Sequence, residues 1–151
     1  GEPWYRVTLA GNSFALASAA RPISRTTADR KLSEFLDRVN IVNKGDKYLY
    51  RVHRALVFGS YLSETPKVND IDVAVEIGPR YNDMKLQEDC ERERIEKAEK
   101  GGRRFRNFVD RLAWPHDEVL LFLKSRSRAI SLHTTDDDIL ETSVTRQVYP
   151  V

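Results

Sequence analysis

Residues 48–77 contain the stretch on which the fold prediction depends: YLYRVHRALVF over 48–58, GSYLSETPKVN over 59–69 and DIDVAVEI over 70–77. Aromatic and β-branched residues dominate the first part, and its latter half predicts a core strand that ends at Gly59-Ser60. The last part alternates strictly: its odd positions are apolar, and its even positions are Asp70, Asp72, Ala74 and Glu76. This alternation predicts a strand with one side in the core and two carboxylates on the other side.

A helix is predicted upstream of this stretch, over about residues 26–44. Apolar residues recur there at helical spacing, with Thr26 or Thr27 available as N-cap and Gly45 as the stop signal. One face of this helix is therefore apolar and must pack on another element. The residues that form this face are Ala28, Leu32, Phe35, Leu36, Val39 and Val42.

Three further elements are predicted downstream. Interleaved charges over 82–100 favour an exposed helix, which Gly101-Gly102 ends. An amphipathic pattern then runs from Phe105 to Trp114, and Pro115 suits the first turn of another helix that ends near Lys124. Residues 128–133 predict a last strand, and residues 141–151 a tail without a large core element. The predicted fold class is α+β: a small mixed β-sheet flanked by helices.

The composition suits one domain, or one domain with a small appendage. The chain has 151 residues, of which 40% are hydrophobic and 32% charged, and its net charge of +2 does not by itself indicate a nucleic-acid binder. A single cysteine, Cys90, excludes an internal disulfide framework and favours a reducing compartment. No apolar run approaches the roughly 20 residues of a membrane span. We therefore expect a cytoplasmic protein without a membrane partner.

The N-terminal residues suggest a separate hypothesis. Residues 4–8 are rich in strand formers, and a short apolar helical stretch over 14–20 follows a Gly-Asn turn signal. This strand and helix are similar to the wing and last helix of winged-helix DNA-binding domains, and they could equally pack on the core. The predicted organisation is an N-terminal segment over 1–25, the main domain over 26–140 and the tail over 141–151. The chain starts at Gly1 without an initiator Met, so the natural chain could begin earlier and carry a DNA-binding region upstream.

Gly59, Ser60, Asp70 and Asp72 are the candidate site residues. Two carboxylates at i and i+2 on a strand project from one face, roughly 6–7 Å apart at their α-carbons, and repel each other unless they are protonated, hydrated or bridged by a cation. Mg²⁺ prefers oxygen ligands and usually binds one or two protein carboxylates together with substrate phosphates. Gly59 has no side chain to obstruct a triphosphate, Ser60 offers a hydroxyl, and a helix beginning there would add amide donors. This arrangement predicts a metal-clamped triphosphate.

The segment FGSYLSETPKVNDIDV over 58–73 resembles the signature of the DNA polymerase β-like nucleotidyltransferase superfamily. That signature has an apolar residue, Gly-Ser, a gap and Asp-x-Asp between apolar residues; the gap between Ser60 and Asp70 is nine residues, 61–69. The resemblance covers about 48–133 and is nearest to the minimal bacterial branch, which includes antibiotic nucleotidyltransferases and the antitoxin partners of HEPN ribonucleases. It implies that Gly59 and Ser60 hold phosphates and that Asp70 and Asp72 bind Mg²⁺.

The function that the resemblance implies is transfer of a nucleoside monophosphate from an NTP, expected to be ATP, to an acceptor hydroxyl. The acceptor could belong to a partner protein, a tRNA end or a small molecule, and the setting could be a toxin–antitoxin system. The alternative is a non-catalytic regulator that keeps the fold and senses nucleotides or binds DNA.

The family usually places a third carboxylate on a later strand, as metal ligand or as base for the attacking hydroxyl, although some minimal members resemble this arrangement and are considered active with the Asp pair alone. The candidate strand over 128–133 offers Ser131 and His133 on one face but no acid. His133 could act as a base, although a surface histidine is the more common case. The acidic run Asp136 to Asp138 could curl back toward the site, or it could cap a helix that begins near Ile139.

Two other sets of residues have a functional and a simpler interpretation. Arg103, Arg104 and Arg106 alternate with Phe105 and Phe108, which could contact nucleic acid but is more typical of an amphipathic helix start. Lys67 lies between the two motif halves and could neutralise phosphate, or it could be an ordinary loop lysine. The spacings of His53, His116 and Cys90 do not suit a zinc site.

Overall fold

The computed structural model describes residues 21–151, which form a mixed α+β structure, as the sequence predicts. The elements in chain order are β1 (Ile23–Ser24), α1 (Arg25–Lys44), β2 (Tyr50–Phe58), a 3₁₀ helix (Gly59–Leu62), β3 (Lys67–Val68), β4 (Ile71–Pro79), α2 (Met84–Lys100), α3 (Phe108–Lys124), β5 (Ile130–Thr134), α4 (Ile139–Thr142) and β6 (Thr145–Tyr149). The N-terminal strand and helix, and with them the winged-helix hypothesis, fall on residues 1–20 and lie outside the described residues.

The main sheet is mixed, with four strands in the order β5-β4-β2-β6. β2 runs antiparallel to both β4 and β6, whereas β4 and β5 are parallel. Directly paired residues share a face of a sheet. The register therefore puts Phe58, Asp72 and Ser131 side by side on one face, with Ala74 and His133 next along the same face. A separate two-stranded ladder joins β1 to β3.

The opposite face of the main sheet carries the hydrophobic core. Its residues include Ala55, Val57, Val73, Val75 and Leu132, all of them buried. This apolar face packs against the buried stripe of α1 and against the C-terminal half of α3, as the alternation in β4 and the helical spacing in α1 predict. The helix residues of this core are Ala28, Leu32, Phe35, Val39 and Val42 in α1 and Val119, Leu120 and Leu123 in α3.

The predicted N-cap of α1 is wrong by two to three residues. Ser24 caps the helix: its hydroxyl accepts a hydrogen bond of 3.1 Å from the backbone N–H of Thr27. The β1–β3 ladder holds Ser24 in extended backbone, which is the conformation that an N-cap requires, so the helix starts before the two threonines. The end of the helix at Gly45 is confirmed.

The prediction of a separate helix starting at Pro115 is also wrong. A single helix, α3, runs through this position, and its N-cap is Asn107, whose side chain accepts from the N–H of Asp110 at 2.9 Å. Pro115 is fully buried inside the helix, so packing offsets the hydrogen bond that a proline cannot donate. Phe108, at the helix start, is 68% exposed, so the amphipathic pattern there is not part of the core.

The strand β6 is an element that the sequence analysis did not predict. It pairs with the free side of β2, where Phe58 lies opposite Thr145 and Leu56 opposite Gln147. Its residues are mostly exposed, so its sequence shows little of the apolar alternation that identifies β4. Over residues 21–151, no helix combines the length and the apolar character needed to cross a membrane.

Candidate functional site

The four candidate residues meet at one end of the main sheet, where β2 ends and β4 begins. Gly59 follows Phe58, the cross-strand partner of Asp72, and has a positive φ of 76°. A Cβ at position 59 would lie far inside van der Waals distance of Asp72 Oδ2. Only glycine therefore satisfies both the left-handed backbone and the close approach of this carboxylate. The Gly-Ser turn and the Asp-x-Asp strand are in direct contact.

Ser60 lies in the 3₁₀ helix and faces the start of β4. Its hydroxyl donates a long hydrogen bond of 3.5 Å to the backbone carbonyl of Asp70. The helix that the sequence analysis expected after Gly59 is only four residues long, Gly59–Leu62. A single turn of this kind carries a small dipole, so Ser60 contributes mainly through its hydroxyl.

The loop between the two motif halves is fastened to the start of α1 by Arg25. The guanidinium of Arg25 donates to three backbone carbonyls of this loop, those of Tyr61, Ser63 and Thr65. The ring of Tyr61 lies under the same guanidinium, 4.9 Å from its centroid to Cζ, and its hydroxyl donates to Asp29 Oδ1 at 2.5 Å. These contacts fix the loop that sets the separation of Ser60 and Asp70.

Asp70 and Asp72 interact electrostatically. Partial burial raises the pKa of Asp70 above its usual range, and the negative charge of Asp72 raises it further. The charges of His133 and Lys124 oppose this effect. Burial and the neighbouring carboxylate together therefore make the charged form of Asp70 less favourable, despite the two nearby cationic groups.

Lys124 is a member of the site region that sequence reasoning missed. It is the last residue of α3 and is 6% exposed, and its ammonium donates to the backbone carbonyl of Ile130 at the start of β5. Burial lowers its pKa, while the charge of Asp70 acts in the opposite direction. The sequence places Lys124 at a helix end, where lysines are common for reasons of the helix dipole, so no pattern distinguished it.

His133 lies beside Asp72 on the polar face of the sheet. Its Nε2 is 3.4 Å from Asp72 Oδ1 and 3.2 Å from Ser131 Oγ, and its Nδ1 is 3.1 Å from Asp137 Oδ2. Burial alone would lower the pKa of His133, but its contacts with Asp72 and Asp137 outweigh burial, and the pKa is raised. Both ring nitrogens are thus engaged, and the ring also packs edge-on against Phe58.

The acidic run takes both of the roles that the sequence analysis left open. Asp137 Oδ1 accepts from the backbone N–H of Ile139 at 3.1 Å, so Asp137 holds the first residue of the short helix α4, whose N-cap is Asp138. Its other oxygen faces His133, so the run also curls back toward the strand end. The imidazole of His133 therefore lies between the carboxylates of Asp137 and Asp72.

Among the side chains of residues 21–151, no group of three or more His, Cys, Asp or Glu is arranged to hold a metal ion. Asp70 and Asp72 could supply only part of the coordination of a metal ion, and the remaining ligands would come from a substrate. Lys67 lies in β3 and is exposed. Arg103 stacks on the Trp114 ring at 3.8 Å and Phe105 packs against the same ring, so these two side chains are engaged within the chain.

Comparisons with protein-family models, with curated proteins and with solved structures found no match to this chain. The resemblance to nucleotidyltransferases therefore stays a prediction that rests on the motif residues 58–73.

Proposed function

We propose that this protein is a Mg²⁺-dependent nucleotidyltransferase, which moves a nucleoside monophosphate from an NTP, expected to be ATP, to an acceptor hydroxyl. The observation that supports this most directly is the contact of Gly59 with the carboxylate of Asp72. With no side chain at position 59, the Asp72 carboxylate lies directly against the turn, so phosphate oxygens held by the turn would lie beside the Asp pair. The pairing of Phe58 with Asp72 and the hydrogen bond from Ser60 to the Asp70 carbonyl bring the same two motif halves together.

The residues present fit Mg²⁺. Asp70 and Asp72 supply oxygen ligands only, and burial together with the charge of Asp72 raises the pKa of Asp70. Mg²⁺ commonly takes one or two carboxylates and completes its coordination with phosphates and water, so a third acidic ligand is not required for binding. When bound, Mg²⁺ supplies charge stabilisation to the phosphate that is transferred and to the pyrophosphate that leaves.

The chain's own residues have separate roles in this proposal. Ser60 offers its hydroxyl to a phosphate oxygen, and Gly59 permits the close approach of that phosphate to the backbone. His133 positions Asp72: it faces Oδ1 of the carboxylate, while Oδ2 points to Gly59. Asp137 in turn fixes the ring of His133 from the other side. Support of a ligating carboxylate by such a neighbour is a common feature of metal sites.

The test is transfer of label from each ribonucleoside triphosphate, labelled at the α-phosphate, to an acceptor in cell extract with Mg²⁺. We expect transfer by the parent protein and its loss in Asp70→Asn/Asp72→Asn. The matched control is Glu76→Gln, which removes a negative charge from the same strand and face but leaves the Asp pair intact. Loss of label transfer in Glu76→Gln as well would contradict a specific role for Asp70 and Asp72.

Folding of the variants is checked by thermal unfolding without metal. Because burial and Asp72 raise the pKa of Asp70, its charged form is less favourable in the folded than in the unfolded chain, and Asp70→Asn should be at least as stable as the parent at neutral pH. Metal-dependent binding of NTP without any transfer would favour the nucleotide-sensing regulator over the enzyme.

A further inference from the structure

A groove with a basic lining lies between α1 and the turn that joins α3 to β5. It has a volume of about 530 Å³, and Lys31 and Arg38 line one wall while Ser125, Arg126, Ser127 and Arg128 line the other. We call this the basic groove. None of these residues belongs to the Gly-Ser turn or to the Asp pair.

Positive charge predominates in the basic groove. Four of its lining side chains are cationic and one, Glu34, is acidic. Glu34 pairs with Lys31 at 3.5 Å and also acts electrostatically on Arg38, whose guanidinium donates to the backbone carbonyl of Leu123 at 3.0 Å. Arg126 and Arg128 are exposed and form no ion pair with any residue from 21 to 151. The groove therefore carries a net positive charge within the described part of the chain.

The turn that presents these arginines is ordered by its own hydrogen bonds. Ser125 donates its N–H to Leu121 O at 3.0 Å, and Ser127 donates to Lys124 O at 3.0 Å. Ser127 Oγ accepts from the N–H of Ala129 at 3.3 Å. Ser125 and Arg126 both have positive φ, 51° and 56°, so the turn keeps a backbone that is unfavourable for side-chain-bearing residues.

The basic groove adjoins the candidate site at one point. Ala129, which lines the groove, accepts a hydrogen bond of 2.7 Å from the N–H of Ile71, the residue between the two aspartates. A ligand in the groove would therefore lie beside the start of β4. The groove is nonetheless a separate surface, because its cations come from α1 and from the turn after α3.

We propose that the basic groove binds the phosphodiester backbone of a nucleic acid strand. Several cations spaced along an open groove, with serine hydroxyls between them, suit a series of phosphates better than one small anion. The Arg103 to Arg106 stretch is a weaker candidate for this role, because Arg103 and Phe105 are already engaged with Trp114. The proposal does not depend on nucleotide transfer, and the binding requires no NTP.

The test is fluorescence anisotropy with labelled RNA and DNA oligonucleotides of about 12 nucleotides, a length within the usual range of single-strand sites. The full chain is titrated at salt concentrations from about 50 mM to about 200 mM. We expect binding that weakens with salt. The Arg126→Gln/Arg128→Gln variant should bind on the order of tenfold more weakly, with a salt slope lower by about 1.4, because two phosphate contacts are lost.

The matched control is Lys85→Gln/Arg92→Gln, which removes the same charge from the exposed surface of α2. It should retain most of the affinity and of the salt slope. Equal weakening by both double variants would overturn the proposal, because it would mean that only net charge matters. Absence of binding at low salt, or displacement by an acidic polypeptide at the same concentration as by unlabelled oligonucleotide, would also overturn it. A difference between RNA and DNA identifies the strand that is bound.

Discussion

The two faces of the main sheet carry opposite chemistry although they are built from the same strands. The apolar face packs Val57, Val73 and Val75 against α1 and α3, and these side chains are buried in one hydrophobic core. The polar face holds Asp72 and His133 beside Phe58, and farther along it Arg54 pairs with Glu76 at 3.2 Å in solvent. Alternate residues of β4 point to opposite faces, so the side chains packed in the core and those of the candidate site lie on different sides of one strand. Substitutions on the two faces should therefore have different consequences.

The largest effect is expected on the apolar side. Phe35 is fully buried in α1, and Phe35→Ala should lower the free energy of unfolding by about 3–5 kcal/mol through lost contacts and a residual cavity. Urea unfolding measures this change. The control is Ile41→Ala on the same helix, where the side chain is 55% exposed. A loss for Ile41→Ala beyond about 0.5 kcal/mol would contradict the division between core and surface.

An intermediate effect is expected at Gly59, which lies at the end of the main sheet. Gly59→Ala and Gly102→Ala both place an alanine at positive φ, and each should cost about 1–2 kcal/mol for that reason. Among residues 21–151, a Cβ at position 59 would lie against Asp72, whereas a Cβ at position 102 would have no neighbour within 4 Å. Gly59→Ala should therefore also weaken Mg²⁺-dependent binding of NTP on the order of tenfold or more.

This pair of variants is compared by titration calorimetry with Mg²⁺ and ATP. Gly102→Ala should bind as the parent does despite its loss of stability. If both variants bound equally well, the close approach of Gly59 to Asp72 would have no part in nucleotide binding.

The smallest effect is expected within the polar face. Asp137→Asn removes a negative charge from beside His133, so the pKa of His133 should fall from its raised position, as measured by NMR of the metal-free protein. An asparagine retains an oxygen for the N–H of Ile139, so the hydrogen bond at the start of α4 is kept. The control is Asp138→Asn, whose side chain makes no capping hydrogen bond and which should leave the pKa of His133 unchanged.

The same substitution changes the pH dependence of stability. Because the pKa of His133 is higher in the folded protein than the ordinary 6.5, its contribution to stability is complete below about that pH and is lost as pH rises through the folded value. Asp137→Asn should reduce this loss. If the dependence of stability on pH were unchanged in Asp137→Asn, the contact of His133 with Asp137 would make no measurable contribution to it.

The sequence predicts the apolar face well because its signals are periodic. Alternation in β4 and helical spacing in α1 each identify a buried side, and packing then agrees with the local pattern. The helix through Pro115 and the strand β6 are not predicted correctly, because tertiary contacts rather than a local periodic pattern determine them. Tertiary packing retains a buried proline inside α3, and β6 is held by pairing to the edge of β2 rather than by its own apolar residues.

The candidate site is predictable in part. The spacing of Gly59, Ser60, Asp70 and Asp72 identifies the residues, and the antiparallel register of β2 and β4 brings the two halves together. The contact of His133 with both Asp72 and Asp137 depends on the parallel pairing of β5 with β4 and on the turn into α4. Such long-range geometry leaves no pattern in the sequence.

The clamp that Arg25 makes on the loop after Ser60 gives the first turn of α1 influence over the site. Arg25 is the first residue of that helix, and helix ends are where native proteins open most readily. When this turn frays, three loop carbonyls lose their donor together, and the separation of Ser60 from Asp70 is no longer fixed. The order of the loop between the motif halves therefore depends in part on a helix terminus that carries none of the motif residues.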